Sequence, residues 1–414
     1  MSGEQIKSGY KRTEVGVIPA EWSAPFLDSL AKRGSGHTPD KKHSEYWNGN
    51  IKWISLRDSD ALDNLYIDNT AATITQEGLA NSSAVLHPAG TVVLSRDAGV
   101  GKSAIMKTDM AVSQHFMAWQ CGSDLDNVFL YYWLQYNKPE FERIAIGNTI
   151  KTIGLPFFKA LKVPQPPLIE QREIATALSD VDSLLSKLDY LIAKKCDLKQ
   201  AAMQQLLTGQ TRLPRFSGEW EVKRLGDVAD MGSGGTPLSS VAAYYDGDIP
   251  WVSISDMTKG GKFIQFTDRC LTELGFANSA AQMFPAGTVL YAMYASLGEC
   301  SIAGIPICTS QAILGIRPRE KLHGEFLFYY LTSLKATVKS LGQQGTQANL
   351  NKGMVQNFRL ILPSVKEQAA IVAVLSEMDA ALAALKARRD KTFALKQGMM
   401  HELLTGRIRL TGTI

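Results

Sequence analysis

The 414-residue chain is poor in the residue patterns that carry catalysis. It has five cysteines and six histidines, with no C-x-x-C, H-x-x-x-H or H-E-x-x-H pair among them. Local motifs of that kind build structural and catalytic zinc sites, so no metal centre of this type is expected. Cys121, Cys196, Cys270, Cys300 and Cys308 are odd in number and scattered, which points to reduced thiols in a cytoplasmic protein. No Asp/Asn-Pro-Pro-Phe/Tyr tetrapeptide occurs. The nearest stretch, Gln165–Leu168, reads QPPL and lacks both the acid or amide and the aromatic. A glycine-rich S-adenosylmethionine loop is missing too, and no Ser, Cys or His arrangement offers a nucleophile with its base. Arg96–Ile105 (RDAGVGKSAI) resembles a phosphate-binding loop, but Arg96 stands where the first glycine is required. Neither sign of charge dominates: the net charge of +4 permits a nucleic-acid partner without demanding one. No apolar run reaches the ~18 residues of a membrane span, and Met1–Lys11 is polar.

What the chain does have is a second copy of itself. GSGHTP at Gly34–Pro39 returns as GSGGTP at Gly232–Pro237, and Trp22 and Trp53 return as Trp220 and Trp251, an offset of 198 (220 − 22). From Pro88 onward the offset is 197 (285 − 88). PAGTVVL returns as PAGTVLY, FLYYWL at Phe129–Leu134 as FLFYYL at Phe326–Leu331, and LLTGQTRL at Leu206–Leu213 as LLTGRIRL at Leu403–Leu410. Such a period is far longer than the ~50 residues of solenoid repeats. Each copy is long enough for a domain with an appendage.

Each copy has two parts. The first is dense in Gly, Pro, Asn and Asp around short strand-like runs such as Ile51–Leu56 and Gly90–Ser95, with one helical stretch at FLYYWL, whose apolar density reads as a core helix. The second part is a long run without proline. Its apolar residues step by four and three: Leu178, Val181, Leu185, Leu188, Ile192, and in the copy Ile371, Leu375, Met378, Leu382, Leu385. That is a narrow coiled-coil seam. The helices are expected to end at Thr208-Gly209 and Thr405-Gly406, where glycine suits the left-handed position past a helix end. Acids lie early in both helices and bases late, so an antiparallel pair sets opposite charges side by side. Towards the ends Lys195, Lys199, Arg389, Thr392 and Lys396 interrupt the seam. Two readings stay open for them: an ordinary interruption, or flanks that face another subunit.

The loops differ where the frame does not. Lys41, Lys42 and His43 become Ser239, Ser240 and Val241, and Ile146–Leu155 (IGNTIKTIGL) aligns with the polar QGTQANLNKG at Gln344–Gly353. A kept frame with altered loop chemistry suits two readers of different sequences. Asn, Gln, Thr and Lys read base edges and phosphates. Lys41, Lys42, Arg57 and Lys151 are the candidate DNA contacts in the first copy; Thr236, Tyr245, Thr346 and Asn349 are those in the second.

Taken together, YKRTEVGVIPAEW at Tyr10–Trp22, GSGGTP followed by YYDGDIPWV, the P-x-x-x-EQ-x-x-I stretch before each long helix and QQLLTGQTRL after the first resemble the specificity subunit of type I restriction–modification systems. The resemblance implies an α+β protein with two tandem target recognition domains separated by two long antiparallel helices in a pseudo-twofold repeat. The expected boundaries are 1–166, 167–208, 209–363, 364–406 and a tail at 407–414. It implies binding of a bipartite double-stranded DNA site, recruitment of two methyltransferase subunits and two restriction motor-nuclease subunits, and no catalysis by this chain. S-adenosylmethionine, ATP and Mg are expected only on those partners. His37 departs from the second copy, which has Gly235. Two other classes stay open: the recognition part of another restriction–methylation enzyme working alone, and a scaffolding protein without a DNA role.

Overall fold

The computed structural model describes residues 6–147, 151–343 and 349–410. The chain forms two compact units, Met1–Asp189 with Arg388–Ile414, and Tyr190–Ala387. Each unit therefore combines the body of one repeat with a piece of the other repeat's long helix.

Unit 1 holds a five-stranded sheet in the order Ala31–Gly34, Phe116–Cys121, Val92–Ser95, Ser103–Met106, Tyr66–Ile67. Val92–Ser95 is buried at every position, as a central strand must be when both its faces are covered. A second sheet centres on β1 (Trp47–Ile54), which pairs antiparallel with β2 (Ala72–Ile74) and parallel with Met110–Val112. The register of β1 shifts between Trp47 and Ile51, where Asn48 takes φ +61°. Such a bulge bends the strand, and Asn tolerates the left-handed conformation. The turn at Gly99 and Gly101 (φ +93° and +84°) joins Val92–Ser95 to Ser103–Met106, so the glycine-rich stretch there is a strand-to-strand turn. Helix α1 (Asn127–Tyr136) buries Phe129–Leu134, and its start is capped by Asp126, whose Oδ1 accepts from the amides of Val128 and Phe129 at 2.9 and 3.0 Å. Helix α2 runs over Leu168–Leu207.

Unit 2 repeats the strand order with Ala229–Ser233, Ile313–Pro318, Val289–Ala292, Cys300–Ala303 and Phe263–Ile264. Its second sheet sets β3 (Tyr245–Val252) between β4 (Arg269–Leu271) and Cys308–Thr309, with the same bulge and Asp246 at φ +63°. Helix α3 (Gly324–Ser333) buries Phe326–Leu331, and α4 spans Val365–Leu404. Phe129 and Phe326 are fully buried, each contributing about 2 kcal/mol. By length and composition α4 is apolar enough to cross a membrane, a feature its interspersed charges hide in the sequence. Its Ile371, Val372 and Leu375 are spent on the core of unit 2.

The long helices end as their sequence dictates, with Gly209 at φ +74° and Gly406 at φ +70°. Their last turns enter the opposite repeat's core: Met400, Leu403 and Leu404 pack with Trp22, Trp119 and Phe158 in unit 1, and Met203, Leu206 and Leu207 pack with Tyr291 and Phe326 in unit 2. The pairing is antiparallel. In unit 1 Asp182 meets Lys396 at 2.6 Å and Asp189 meets Arg389 at 3.1 Å, so seven residues forward in one helix are seven back in the other. In unit 2 Lys199 pairs with Asp379. Of the basic residues that interrupt the seam, Lys199, Arg389 and Lys396 are thus satisfied by acids of the partner helix and Lys195 is exposed; the remaining interruption, Thr392, donates its hydroxyl to Arg388 O. Tyr132 and Tyr329 donate their hydroxyls to Asp182 and Asp379 at 2.8 and 2.6 Å, and burial raises both hydroxyl pKa values, which keeps them protonated as donors.

The Glu-Gln pair that opens each long helix is buried and fully employed. Gln171 accepts from Asp126 N and donates to Asp124 O and Pro166 O; Gln368 accepts from His323 N and donates to Lys321 O and Pro363 O. Glu170 takes Arg409 at 2.7 and 2.9 Å and Trp22 Nε1 at 3.0 Å. Glu367 takes Arg212 at 2.9 and 2.6 Å, while Trp220 Nε1 has no partner among the described residues. Gly406 O also accepts from Tyr10 at 2.9 Å, so the segment after α4 lies against the one preceding Trp22; Ile414 lies outside the described residues.

Removing Glu170 strands a guanidinium and an indole N–H. Glu170→Ala is expected to cost about 3 kcal/mol, lowering the melting midpoint of unit 1 by roughly 6–12 °C in scanning calorimetry. Glu367→Ala, which strands no indole, is expected to lower that of unit 2 by less.

Candidate nucleic-acid interface

In unit 1 the loop Gly34–His43 is fastened from below by ring nitrogens. Trp53 Nε1 donates to His37 O at 3.1 Å, Trp47 Nε1 to Asp40 O at 3.2 Å, and His87 Nε2 to Ser35 O at 3.3 Å. Gly36 is required here: a Cβ would stand 1.7 Å from Val112 O. Unit 2 holds its loop in the same way, with Trp251 Nε1 donating to Gly235 O at 2.9 Å and a Cβ on Gly234 falling 2.1 Å from Thr309 O. His37 is exposed, whereas a Cβ on Gly235 would lie 2.3 Å from the Ala280 carbonyl carbon, so the second loop lies closer to its support.

Between this loop and β1 lies a cavity of about 510 Å³. Lys41, Arg57, Trp47, Trp53, Asn48 and His115 line it, together with smaller polar and apolar groups, and among the described residues no carboxylate does. The indoles of Trp47 and Trp53 meet edge to face at 5.2 Å. His115 Nδ1 lies 2.7 Å from Asp97 Oδ2, and Asp97 also accepts from Thr152. Thr152 bridges to Ile146 and Asp97, and Ile153 N donates to Arg96 O at 2.9 Å. These contacts tie the segment that carries Lys151 to the rear of the cavity.

The structure brings Lys41 and Arg57 together on this cavity, both exposed; Lys42, next to Lys41 in the chain, and Lys151, next to Thr152, are exposed as well. In unit 2 Thr236 and Asn349 are exposed, and Leu350 N donates to Met293 O, the counterpart of the Ile153 contact. Tyr245 differs from the expectation. It is 8% exposed and its hydroxyl donates to Pro237 O at 2.7 Å, so it supports the loop from behind and offers no free donor. Thr346 lies outside the described residues. The sequence reading missed Trp47, Trp53, Asp97 and His115. Trp53 was visible only as a repeated landmark, and nothing in the spacing joins Asp97 to His115. Burial holds the Cys308 thiol up at about 11 and raises that of Cys300, which removes both as nucleophiles near neutral pH.

The model of the type I restriction modification DNA specificity domain matches residues 19–192 and again 217–392. The chain belongs to that family. It is a DNA-specificity subunit with two such domains in tandem, the recognition and not the catalytic member of its system. It is 24% identical over 426 residues to the putative type I restriction enzyme MjaX specificity subunit of Methanocaldococcus jannaschii, covering 98% of this chain and 97% of the relative. With the MjaIX specificity subunit of the same organism it shares 26% over 265 residues, 61% of each chain. A solved type I system, described under complex assembly and conformational transition, shares the fold at a TM-score of 0.62 with 18% identity, over 94% of this chain and 99% of the other. The S subunit of M. genitalium does so at 0.58 with 16% identity, over 97% and 98%.

His87 gives the loop of this specificity subunit a pH dependence. Burial lowers its pKa below the usual 6.5. Its contribution to stability is therefore fully present above about pH 6.5 and lost as pH falls through the lowered folded value. His87→Gln, which keeps a donor for Ser35 O and does not titrate, is expected to lose less melting temperature between pH 7.5 and 5 than the unaltered protein.

Proposed function

We propose that this chain binds a bipartite double-stranded DNA target in the cytoplasm, each unit contacting one half. The long helices set the gap between the halves and dock two methyltransferase subunits, which two motor-nuclease subunits join. Methyl transfer, S-adenosylmethionine, ATP and Mg belong to those partners. The observation that carries this reading is one frame built twice around unlike loops. The indole-to-carbonyl fastening, the tight glycine and the bulge recur, while Lys41, Lys42 and His43 give way to Ser239, Ser240 and Val241. A frame that holds a loop still without fixing its side chains lets the base-contacting chemistry vary between copies.

On this reading the lysines of the first loop meet phosphates, and Lys151 and Arg57 extend that basic face; in the second unit Thr236 serves the loop, with Tyr245 behind it, and Asn349 and Thr346 serve the later polar stretch. Phosphate contacts release counterions and carry no sequence information. Changing Lys41 and Lys42 together to Ala is expected to flatten the salt dependence of DNA binding by up to about two units of log–log slope and to leave the target sequence unchanged. Filter binding of the reconstituted complex across salt concentrations, beside adenine-methylation mapping, checks both; an unaltered slope removes these lysines from the interface.

A further inference from the structure

The two units differ at one paired position beside the aromatic residues of the loop frame. Trp53 faces Ala72 across β1 and β2; Trp251 faces Arg269 across β3 and β4. In unit 2 the Arg269 guanidinium lies 4.4 Å from the centre of the Tyr245 ring and 5.4 Å from that of Trp251. A planar cation thus covers the aromatic pair from within the chain. Unit 1 has a methyl group at that position, and the cavity of about 510 Å³ lies there, lined by Ala72, Trp47 and Trp53. The volume falls in the range of small-molecule sites. What unit 2 supplies to its aromatic rings, unit 1 leaves to a ligand.

Charge decides which planar group that is. Among the described residues the unit 1 cavity is lined by Lys41 and Arg57 and by no carboxylate, and it has Asn48 where unit 2 has Asp246. A second cation is repelled by this lining. A planar ring joined to an anion is held at both ends, by stacking on indole and by charge-assisted bonds to Lys41 and Arg57. We propose that this cleft receives one nucleotide turned out of the bound duplex, its base against Trp47 and Trp53 and its 5′-phosphate on Lys41 and Arg57. The proposal rests on DNA binding by unit 1. Unstacking one nucleotide costs free energy, which the cleft offsets by stacking and which unit 2, with Arg269 in place, does not.

The test uses the full chain and 2-aminopurine deoxyriboside 5′-monophosphate, a probe that loses fluorescence on stacking. Saturable quenching is expected. Ala72→Arg, which places in unit 1 the guanidinium that unit 2 carries, is expected to weaken it at least tenfold. Arg57→Ala, which leaves the aromatic pair intact, is expected to weaken it severalfold, and this keeps the proposal testable if the arginine variant misfolds. Saturating target duplex, its sequence read from methylation mapping, is expected to displace the probe. Absence of quenching, or quenching that neither variant alters, overturns the proposal. So does a probe that stays bound beside the duplex, or one displaced by N-acetylarginine amide and not by thymidine 5′-monophosphate. Salt-dependent duplex retention is measured on the same samples. Duplex binding without quenching overturns this inference alone; loss of both overturns the reading beneath it.

Discussion

Each unit is closed by a charge that the other repeat delivers. Glu170 is satisfied by Arg409 and Glu367 by Arg212; Asp182 is met by Lys396 and Asp379 by Lys199. Exposed ion pairs contribute little, but Glu170 and Glu367 are buried to within 3%, and removing the partner of a buried charge pair is strongly destabilising. The antiparallel run of the helices follows from this demand, because only that direction brings a basic C-terminal half to an acidic N-terminal half. The apolar contacts agree, since the last turn of each helix fills the opposite repeat's core. A unit is therefore the body of one repeat completed by the helix end of the other.

This closure leaves the loops free to diverge. Among the described residues, no hydrogen bond or ion pair of the clasp or the helix seam reaches Gly34–His43 or its counterpart. What those loops require is the glycine that passes beneath a backbone carbonyl and the indole that holds the loop from behind. Side chains at positions 41–43 and at 72 carry no such duty. They change between copies, from Lys to Ser and from Ala to Arg, without disturbing the frame. Stability sits in the parts that repeat; on the proposed reading, selectivity sits in the parts that do not.

Much of this was legible in the sequence for a physical reason. Helix ends, seams and turn glycines are local, and a duplicated chain shows each of them twice, so Thr208-Gly209 and Thr405-Gly406 mark their helices without any structure. The direction of pairing was legible because charge was sorted along both helices. Partners distant in sequence were not. Lys199 and Lys396 read as interruptions of the seam because the acids that satisfy them lie some 180 and 214 residues away (379 − 199; 396 − 182). Tyr245 read as a contact residue because its hydroxyl's partner, Pro237 O, becomes visible only once the loop folds back over the strand. The contrast between Ala72 and Arg269 needed the strand register, which sets each opposite a tryptophan.

The central claim is that one unit reads one half of a divided target. It is tested most directly by replacing residues 22–166 with the equivalent domain of a relative and mapping methylated adenines in a host strain that carries the chimera. The account predicts that one half of the methylated sequence changes while the other half and the gap stay as they were. An active chimera in which both halves change, or neither does, would contradict it.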